Sequence, residues 1–491
     1  MGKLYHTLCL YCVATEKPSD CNVQPLMVQY TRFTKHGNPQ GIESMRQKEI
    51  ERPEYLEQLI ASKMNGTVKI ITGIRRCGKS YLLRKIFKRH LLNEGTSKDH
   101  VIEIDLEQTE DDSLLNPIKL ERHIKALLPD DGKPTFVLID EIQRCDMVLR
   151  EGVDLSKLHP DSRKNAYVTF YHTISALRQL PFVDVYVTGS NSKMLASDIA
   201  TEFRGRGEVI HVMPLSMSEF LPLKKSTRDL YSAFYEYLDF GGLPECVLKP
   251  TETEKVRYLT NLYKTIYLRD VAERNKLKDD AMLDALTSAI MSGIGSLSNP
   301  AKLANTLNTV MGLKANRVTV GKYIDFLANA FIIHKAMRYD IKGKRYFETP
   351  LKYYAADCGL RNASLNFRQN ERTHLMENAI FNELIKRGYS VDVGDVLMDG
   401  IGQSGKHEVR RHEIDFVVNK ASERIYIQSA WMIPDESKRE QETFSLRNTG
   451  DSFRKIVVTG DPYEKPWMDT NGITFMGIVP FLLDPHSIET L

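Results

Sequence analysis

The stretch Gly73-Ile74-Arg75-Arg76-Cys77-Gly78-Lys79-Ser80 brackets a short basic segment with two glycines and follows it with an amine and a hydroxyl. Backbone N–H groups of such a loop can surround a phosphate, the lysine can reach the β- and γ-phosphates, and the hydroxyl can ligate Mg²⁺. Both flanks fit that chemistry. TVKIITG reads as a short buried strand, with Val68, Ile70 and Ile71 as β-formers. YLLRKIFKRHLL then has apolar residues at helical spacing. A plain surface turn would need neither flank. The expected contacts for ATP are Gly73, Ile74, Arg75, Arg76, Cys77, Gly78, Lys79, Ser80 and Tyr81.

A second signal is independent of the first. PTFVLIDEIQ holds an apolar run, Phe136 to Ile139, that ends in Asp140 and Glu141. A carboxylate at the C-terminal end of a buried parallel strand faces the ligand edge of its sheet. Asp140, with Ser80, is the expected Mg²⁺ partner, and Glu141 the base that polarises the attacking water. Alone, the pair would read as a solvated strand end. In VDVYVTGSNSKML, Val183, Val185 and Val187 alternate before a polar end. Ser190 or Asn191 would orient the water or sense the γ-phosphate there, and Ser190 or Ser192 would equally serve as a helix cap. VIEIDLEQ supplies a further core strand, with Glu107 and Gln108 as weaker candidates. FRGRGEVIHV places Arg204 and Arg206 around Gly205. Such an arginine can reach a γ-phosphate in its own subunit or a neighbour, or can simply be solvated.

These elements sit in a chain of 491 residues, long enough for about three domains. The net charge of +3 neither demands nor excludes nucleic acid, so only a local patch can argue for it. Seven cysteines in this length make no disulfide framework. Cys9 and Cys12 have zinc-knuckle spacing and Cys21 follows, but no second pair completes four ligands. Cys145 and Cys358 read as buried thiols. No stretch approaches the ~20 apolar residues of a membrane helix, and LCLYCVA lacks a cleavage context, so a cytoplasmic location is expected. Residues 1–44 show no sustained period and read as a loose extension.

In order, Gly73 to Ser80, LIDEIQ, TGSNSKML, GRG before MPLSMSEF, and FGGLPE resemble the prokaryotic AAA-type P-loop ATPases that carry a poorly characterised C-terminal domain. The resemblance begins near Ile50, runs to the end, and is to the additional-strand class. It implies an α/β fold: a P-loop NTPase core of AAA type over 45–220, then a helical lid over 221–283. By it Arg206 takes the place of an arginine finger or sensor, with Arg204 the weaker partner. The charged stretch 148–164 is longer than the family shows and reads as a surface loop.

In the lid, Tyr231, Tyr235 and Tyr237 fall at helical spacing and read as core, and Arg269 pairs with Asp270 on one face. Residues 284–356 have the outline of a winged helix. Pro300 opens one helix, Thr319 caps a second, and a basic hairpin turns at Lys342 and Gly343. Lys322, Lys342, Lys344 and Arg345 would meet the phosphates of double-stranded DNA, although winged helices also contact proteins. Over 357–491, a helix with a buried stripe (Met376, Ile380, Phe381, Leu384, Ile385) precedes three strands. This resembles the restriction-endonuclease-like fold. The resemblance implies that Glu377, Asp415 and Gln428 form a possible second metal site. Where that pattern has a lysine this chain has Ala430, and Lys420 lies in a turn, too far to replace it. The domain is therefore expected to be degenerate and not to cut DNA.

The leading expectation is an ATPase that drives the C-terminal modules. The alternatives are a DNA-binding protein or metal-dependent nuclease whose assembly ATP switches, and a slow protein-interaction switch. A homo-oligomer or a protein partner is possible in each case, and none involves a membrane.

Overall fold

The computed structural model describes residues 49–159, 163, 165–190, 205–224, 229–277, 280–401 and 407–489. The readings made for Cys9, Cys12, Cys21, Asn191, Ser192, Arg204 and the first 44 residues lie outside them.

Five parallel strands form the first sheet: β1 (Val68–Thr72), β2 (Val101–Asp105), β3 (Thr135–Asp140), β4 (Val183–Gly189) and β5 (Gly207–His211), in the order β2-β3-β4-β1-β5. β1 and β3 are buried along their whole length, which is why they read as unbroken apolar runs. β1 has one exception. Lys69 is fully buried and pairs with Asp184 of the neighbouring strand, which also accepts from the Tyr186 hydroxyl. The order puts β4 between β1 and β3, so the polar ends of β3 and β4 lie beside the loop that leaves β1. Among the described residues no helix is long and apolar enough to cross a membrane.

Helical segments Glu252–Leu262, Tyr263–Leu268 and Arg269–Arg274 run on from one another. Tyr231 does not join the core: it is 43% exposed and stacks on Tyr235 at 4.4 Å. The helix Pro300–Met311 starts at its proline as expected. The helix Arg317–Asn329 does not start at Thr319, because the side chain of Asn316 accepts from the Thr319 N–H and is the cap.

The second sheet has eight strands: β6 (Ile333–Asp340), β7 (Arg345–Ala355), β8 (Ser390–Ile401), β9 (His407–Lys420), β10 (Glu423–Ala430), β11 (Arg454–Thr459), β12 (Trp467–Met468) and β13 (Ile473–Gly477). Their order is β12-β13-β11-β10-β9-β8-β6-β7. The hairpin β6–β7 is the basic hairpin of the expected winged-helix outline. It is the outer pair of this sheet, because β6 pairs in parallel with β8 from Arg338 opposite Val393 to Asp340 opposite Asp395. The helix Arg372–Lys386 lays Met376, Ile380, Phe381 and Leu384 on the sheet, all buried, with Ile385 packed against them.

Candidate nucleotide site and the C-terminal carboxylates

The loop after β1 is shaped by its first glycine. Gly73 has φ +141°, and a Cβ there would stand 2.1 Å from the Val212 carbonyl oxygen, so no other residue fits. Lys79 Nζ donates to the carbonyls of Gly73 and Ile74, each at 3.1 Å, which holds the ammonium inside the loop. Behind the loop, buried Arg52 donates to the Cys77 carbonyl at 3.1 Å and pairs with Glu219. Cys77 is buried against Val212, whereas Tyr81 is 38% exposed.

Ser80 Oγ donates to Asp140 Oδ1 at 3.0 Å, and Thr188 Oγ1 donates to the same oxygen. Burial pushes the Asp140 carboxyl up, and the two hydroxyls only partly offset it. A divalent cation would remove that penalty, and a hydroxyl beside a carboxylate is a fitting hard-cation donor set. Glu141 has φ +52°, a left-handed conformation that costs a non-glycine residue about 1 kcal/mol. Its N–H donates to Thr188 Oγ1 at 2.9 Å, and its Oε2 accepts from Gln143 Nε2 and, at 3.3 Å, from Ser190 Oγ. Ser190 is therefore at the site with Glu141.

The helical segments over 252–274 add contacts that sequence reasoning missed. Arg274 donates from Nη2 to Ser190 Oγ at 2.9 Å and pairs with Asp270 at 3.0 Å. Asp270 also pairs with Arg75 of the loop at 3.0 Å, and Glu107 holds the same guanidinium. The Tyr267 hydroxyl donates to the Arg75 carbonyl at 2.7 Å. Arg269 pairs with Glu273 at 2.6 Å, not with Asp270 as expected. No spacing rule links residues 190 or more positions apart, so only the fold could bring Arg75 and Asp270 together. Gln108 makes a local turn contact to Asp105 and stays out of this network.

In the second sheet, Glu377 and Asp415 do meet, around a group that was not foreseen. Lys352 Nζ of β7 lies 2.9 Å from Glu377 Oε1, 3.2 Å from Asp415 Oδ1 and 2.7 Å from Glu413 Oε1. The Tyr354 hydroxyl also donates to Glu377 Oε1, at 2.8 Å. Gln428 is not part of the set. Its Oε1 accepts the Asp415 N–H at 3.3 Å, and its Nε2 faces Glu442 at 3.4 Å. Burial would lower the Lys352 ammonium, but Glu377 and the other carboxylates outweigh it and hold it well above the usual lysine range. Burial pushes the Glu377 and Glu413 carboxyls up. Lys420 pairs with Glu489 and lies outside this carboxylate group, and the His412 ring lies 4.6 Å from Phe444.

A family described as an AAA domain matches residues 65–221, and a domain of unknown function matches 231–371. An uncharacterised protein of Haemophilus influenzae is 33% identical over 437 residues, covering 88% of this chain and 98% of its own length. The chain belongs to one family with it and carries an AAA domain. An uncharacterised protein of Methanocaldococcus jannaschii is 27% identical, covering 84% of this chain and 87% of its own. Among solved structures, the Walker-type ATPase of Pyrococcus abyssi is similar with 17% identity and a TM-score of 0.45, covering 65% of this chain and 97% of its own.

One expected member of the AAA domain's site stands elsewhere. The Arg206 carbonyl accepts the Val68 N–H at 3.0 Å, and Gly207 pairs beside Val68. The arginine's backbone is thus at the start of β1, whereas the phosphate loop leaves its far end, about 13 Å along the strand. The parallel register keeps Arg206 away from the phosphate loop of its own chain.

Proposed function

We propose that this protein binds ATP with Mg²⁺ at its AAA domain, hydrolyses it, and transmits the change through the lid to the C-terminal modules. The observation that carries the reading is the Ser80–Asp140–Thr188 cluster with Glu141 and Ser190 beside it. Ser80 and Asp140 would hold the Mg²⁺, which would supply positive charge to offset that of the phosphates. Lys79 and the loop N–H groups bind the phosphates. Glu141 takes a proton from the water that attacks the γ-phosphorus, and ADP leaves as the β–γ bond breaks. Ser190 orients that water, and Arg274 holds Ser190 in place from the lid.

Coupling has a physical route. Asp357, buried and raised to about 6 by that burial, accepts the Gly242 N–H at 2.7 Å and the Leu360 N–H at 2.9 Å. Asn362 donates to the Leu238 and Asp239 carbonyls, and Arg372 pairs with Asp239. These contacts join the lid, read as 221–283, to the part read as 357–491. Double-stranded DNA is the partner the surface favours. Arg338, Arg345 and Arg411 converge on the Phe347 ring at 5.0, 5.6 and 5.3 Å, next to exposed Lys342 and Lys344. Asp395 and Asp340 neutralise part of this charge.

The test is steady-state ATP turnover with and without duplex DNA at several salt concentrations. Turnover is expected to change with DNA. Alanine at Lys322, Lys342, Lys344 and Arg345 should weaken binding and lower the salt slope by about one per lost phosphate contact. Equal DNA affinity in that variant, with turnover indifferent to DNA, would return the hairpin to a solvated surface and the protein to the interaction-switch reading.

The position of Arg206 leads to a second expected result. If it serves as a finger it must act on a neighbouring copy. Turnover per chain should then rise with protein concentration. Mixing Arg206→Ala with Lys79→Ala protein should restore activity that neither has alone, since mixed assemblies pair an intact arginine with an intact loop. Constant specific turnover over a hundredfold dilution, with no rescue, removes Arg206 from the reaction.

A further inference from the structure

We infer that the carboxylate site of the second sheet is closed by a cation of its own: the Lys352 ammonium stands where a divalent ion would have to sit, and the native site takes no metal. Its three carboxylate partners come from two elements, Glu377 from the helix Arg372–Lys386 and Glu413 and Asp415 from β9, while the lysine reaches them from β7. All three distances lie between 2.7 and 3.2 Å, so the nitrogen is central to the group and not at its edge. The Lys352 side chain is 2% exposed, which leaves it no route to swing into water and vacate the position.

The remaining donors are also committed. Asp415 Oδ2 accepts the Ser429 N–H at 2.9 Å, and Glu377 Oε1 already serves both Lys352 and Tyr354. Gly295, at φ +72°, presses its backbone so close to Glu377 that a Cβ there would lie 2.8 Å from Oε2. Gln428, the expected third ligand, is spent on Asp415 and Glu442. Mg²⁺ or Mn²⁺ needs about six oxygen ligands in near-octahedral array. Sharing these oxygens would put the ion about 4 Å from an ammonium, a repulsion of several kcal/mol even at an effective dielectric constant of about 20.

The lysine thus does the metal's electrostatic work. It neutralises buried acids that would otherwise be costly, and in doing so it ties the edge hairpin to the helix and to β9. The same substitution explains how Ala430 is tolerated. With no metal and no metal-bound water, there is nothing for a lysine at that position to orient.

The experiment uses the full chain, nucleotide-free, with Mn²⁺ as the probe, and reads bound Mn²⁺ by the loss of the free-ion electron paramagnetic resonance signal. Wild type, Asp415→Asn and the milder Glu413→Gln are expected to bind the same amount, because any Mn²⁺ held at the phosphate loop is common to all three. Lys352→Ser is expected to gain one Mn²⁺ per chain, lost again in Lys352→Ser/Asp415→Asn. It should melt lower than wild type in EDTA and recover with Mn²⁺. A Mn²⁺ site in wild type that disappears in Asp415→Asn or Glu413→Gln would overturn the inference. So would a folded Lys352→Ser that gains no ion. If Lys352→Ser does not fold, the comparison of wild type with Asp415→Asn still decides.

Discussion

Glu141→Gln protein binds ATP as wild type does and turns it over at least ~100-fold more slowly, the usual worth of a general base. The amide has the carboxylate's shape but cannot accept a proton from water. Binding should survive because the contacts that place this residue are kept. The backbone N–H to Thr188 does not depend on the side chain, and an amide oxygen can still accept from Gln143 and Ser190. Its left-handed backbone is no worse for glutamine than for glutamate. Phosphate release at saturating ATP, with nucleotide affinity measured separately, checks both halves. Unchanged turnover would take the base role away from Glu141. A loss of affinity equal to the loss of rate would make the residue structural.

Lys79→Ala should weaken ATP binding by ~100-fold or more without unfolding the chain. Two hydrogen bonds from an ammonium to phosphate oxygens contribute on the order of 3–5 kcal/mol together. Among the described residues the same ammonium donates to the Gly73 and Ile74 carbonyls and to no side chain, so its loss deprives none of them of a partner. The loop should keep its path, because Gly73 and the Arg52 contact to Cys77 set that path from behind. Thermal melting with increasing ATP and Mg²⁺ gives the readout. Wild type should rise with ligand concentration, as a ligand that binds only the folded state requires, and Lys79→Ala should stay flat. Equal rises in both would mean that the phosphates do not sit on this loop.

The residues of the candidate nucleotide site were largely legible in the sequence, and the reason is local. A phosphate loop is made mostly by consecutive backbone groups, so glycines, a lysine and a hydroxyl at fixed offsets between a strand and a helix nearly specify it. Asp140, Glu141 and Ser190 were legible too, because each ends an apolar run that can only be a buried strand. The strand order β2-β3-β4-β1-β5 then brings those three ends to one edge. Thr188 was passed over in favour of its neighbours, although its hydroxyl is the one that joins Asp140 to the Glu141 backbone. A polar strand end offers several hydroxyls, and sequence does not say which one points at the next strand.

The rest was decided by contacts across long stretches of chain. Arg206 looked like a partner for the phosphates because it follows the sensor strand. Parallel pairing of β5 with β1 sets it at the opposite end of the sheet. Arg274 and the shared carboxylate Asp270, both on the helix Arg269–Arg274, carry no motif, and folding alone delivers them to Ser190 and Arg75. The basic hairpin had the right turn and the right charges. Whether it stood free or closed a sheet depended on its pairing with β8, a stretch more than fifty residues further on. The C-terminal carboxylates show the contrast most sharply. The sequence by itself offered a helix glutamate and a strand aspartate only as what a resemblance implied for one site, with Ala430 where that resemblance expects a lysine, and the fold does bring Glu377 and Asp415 to one point. Only the tertiary structure supplied Lys352, because an ion pair is set by distance in space and a lysine on β7, with two strands between it and β9 in the sheet order, satisfies it as well as one close by in sequence.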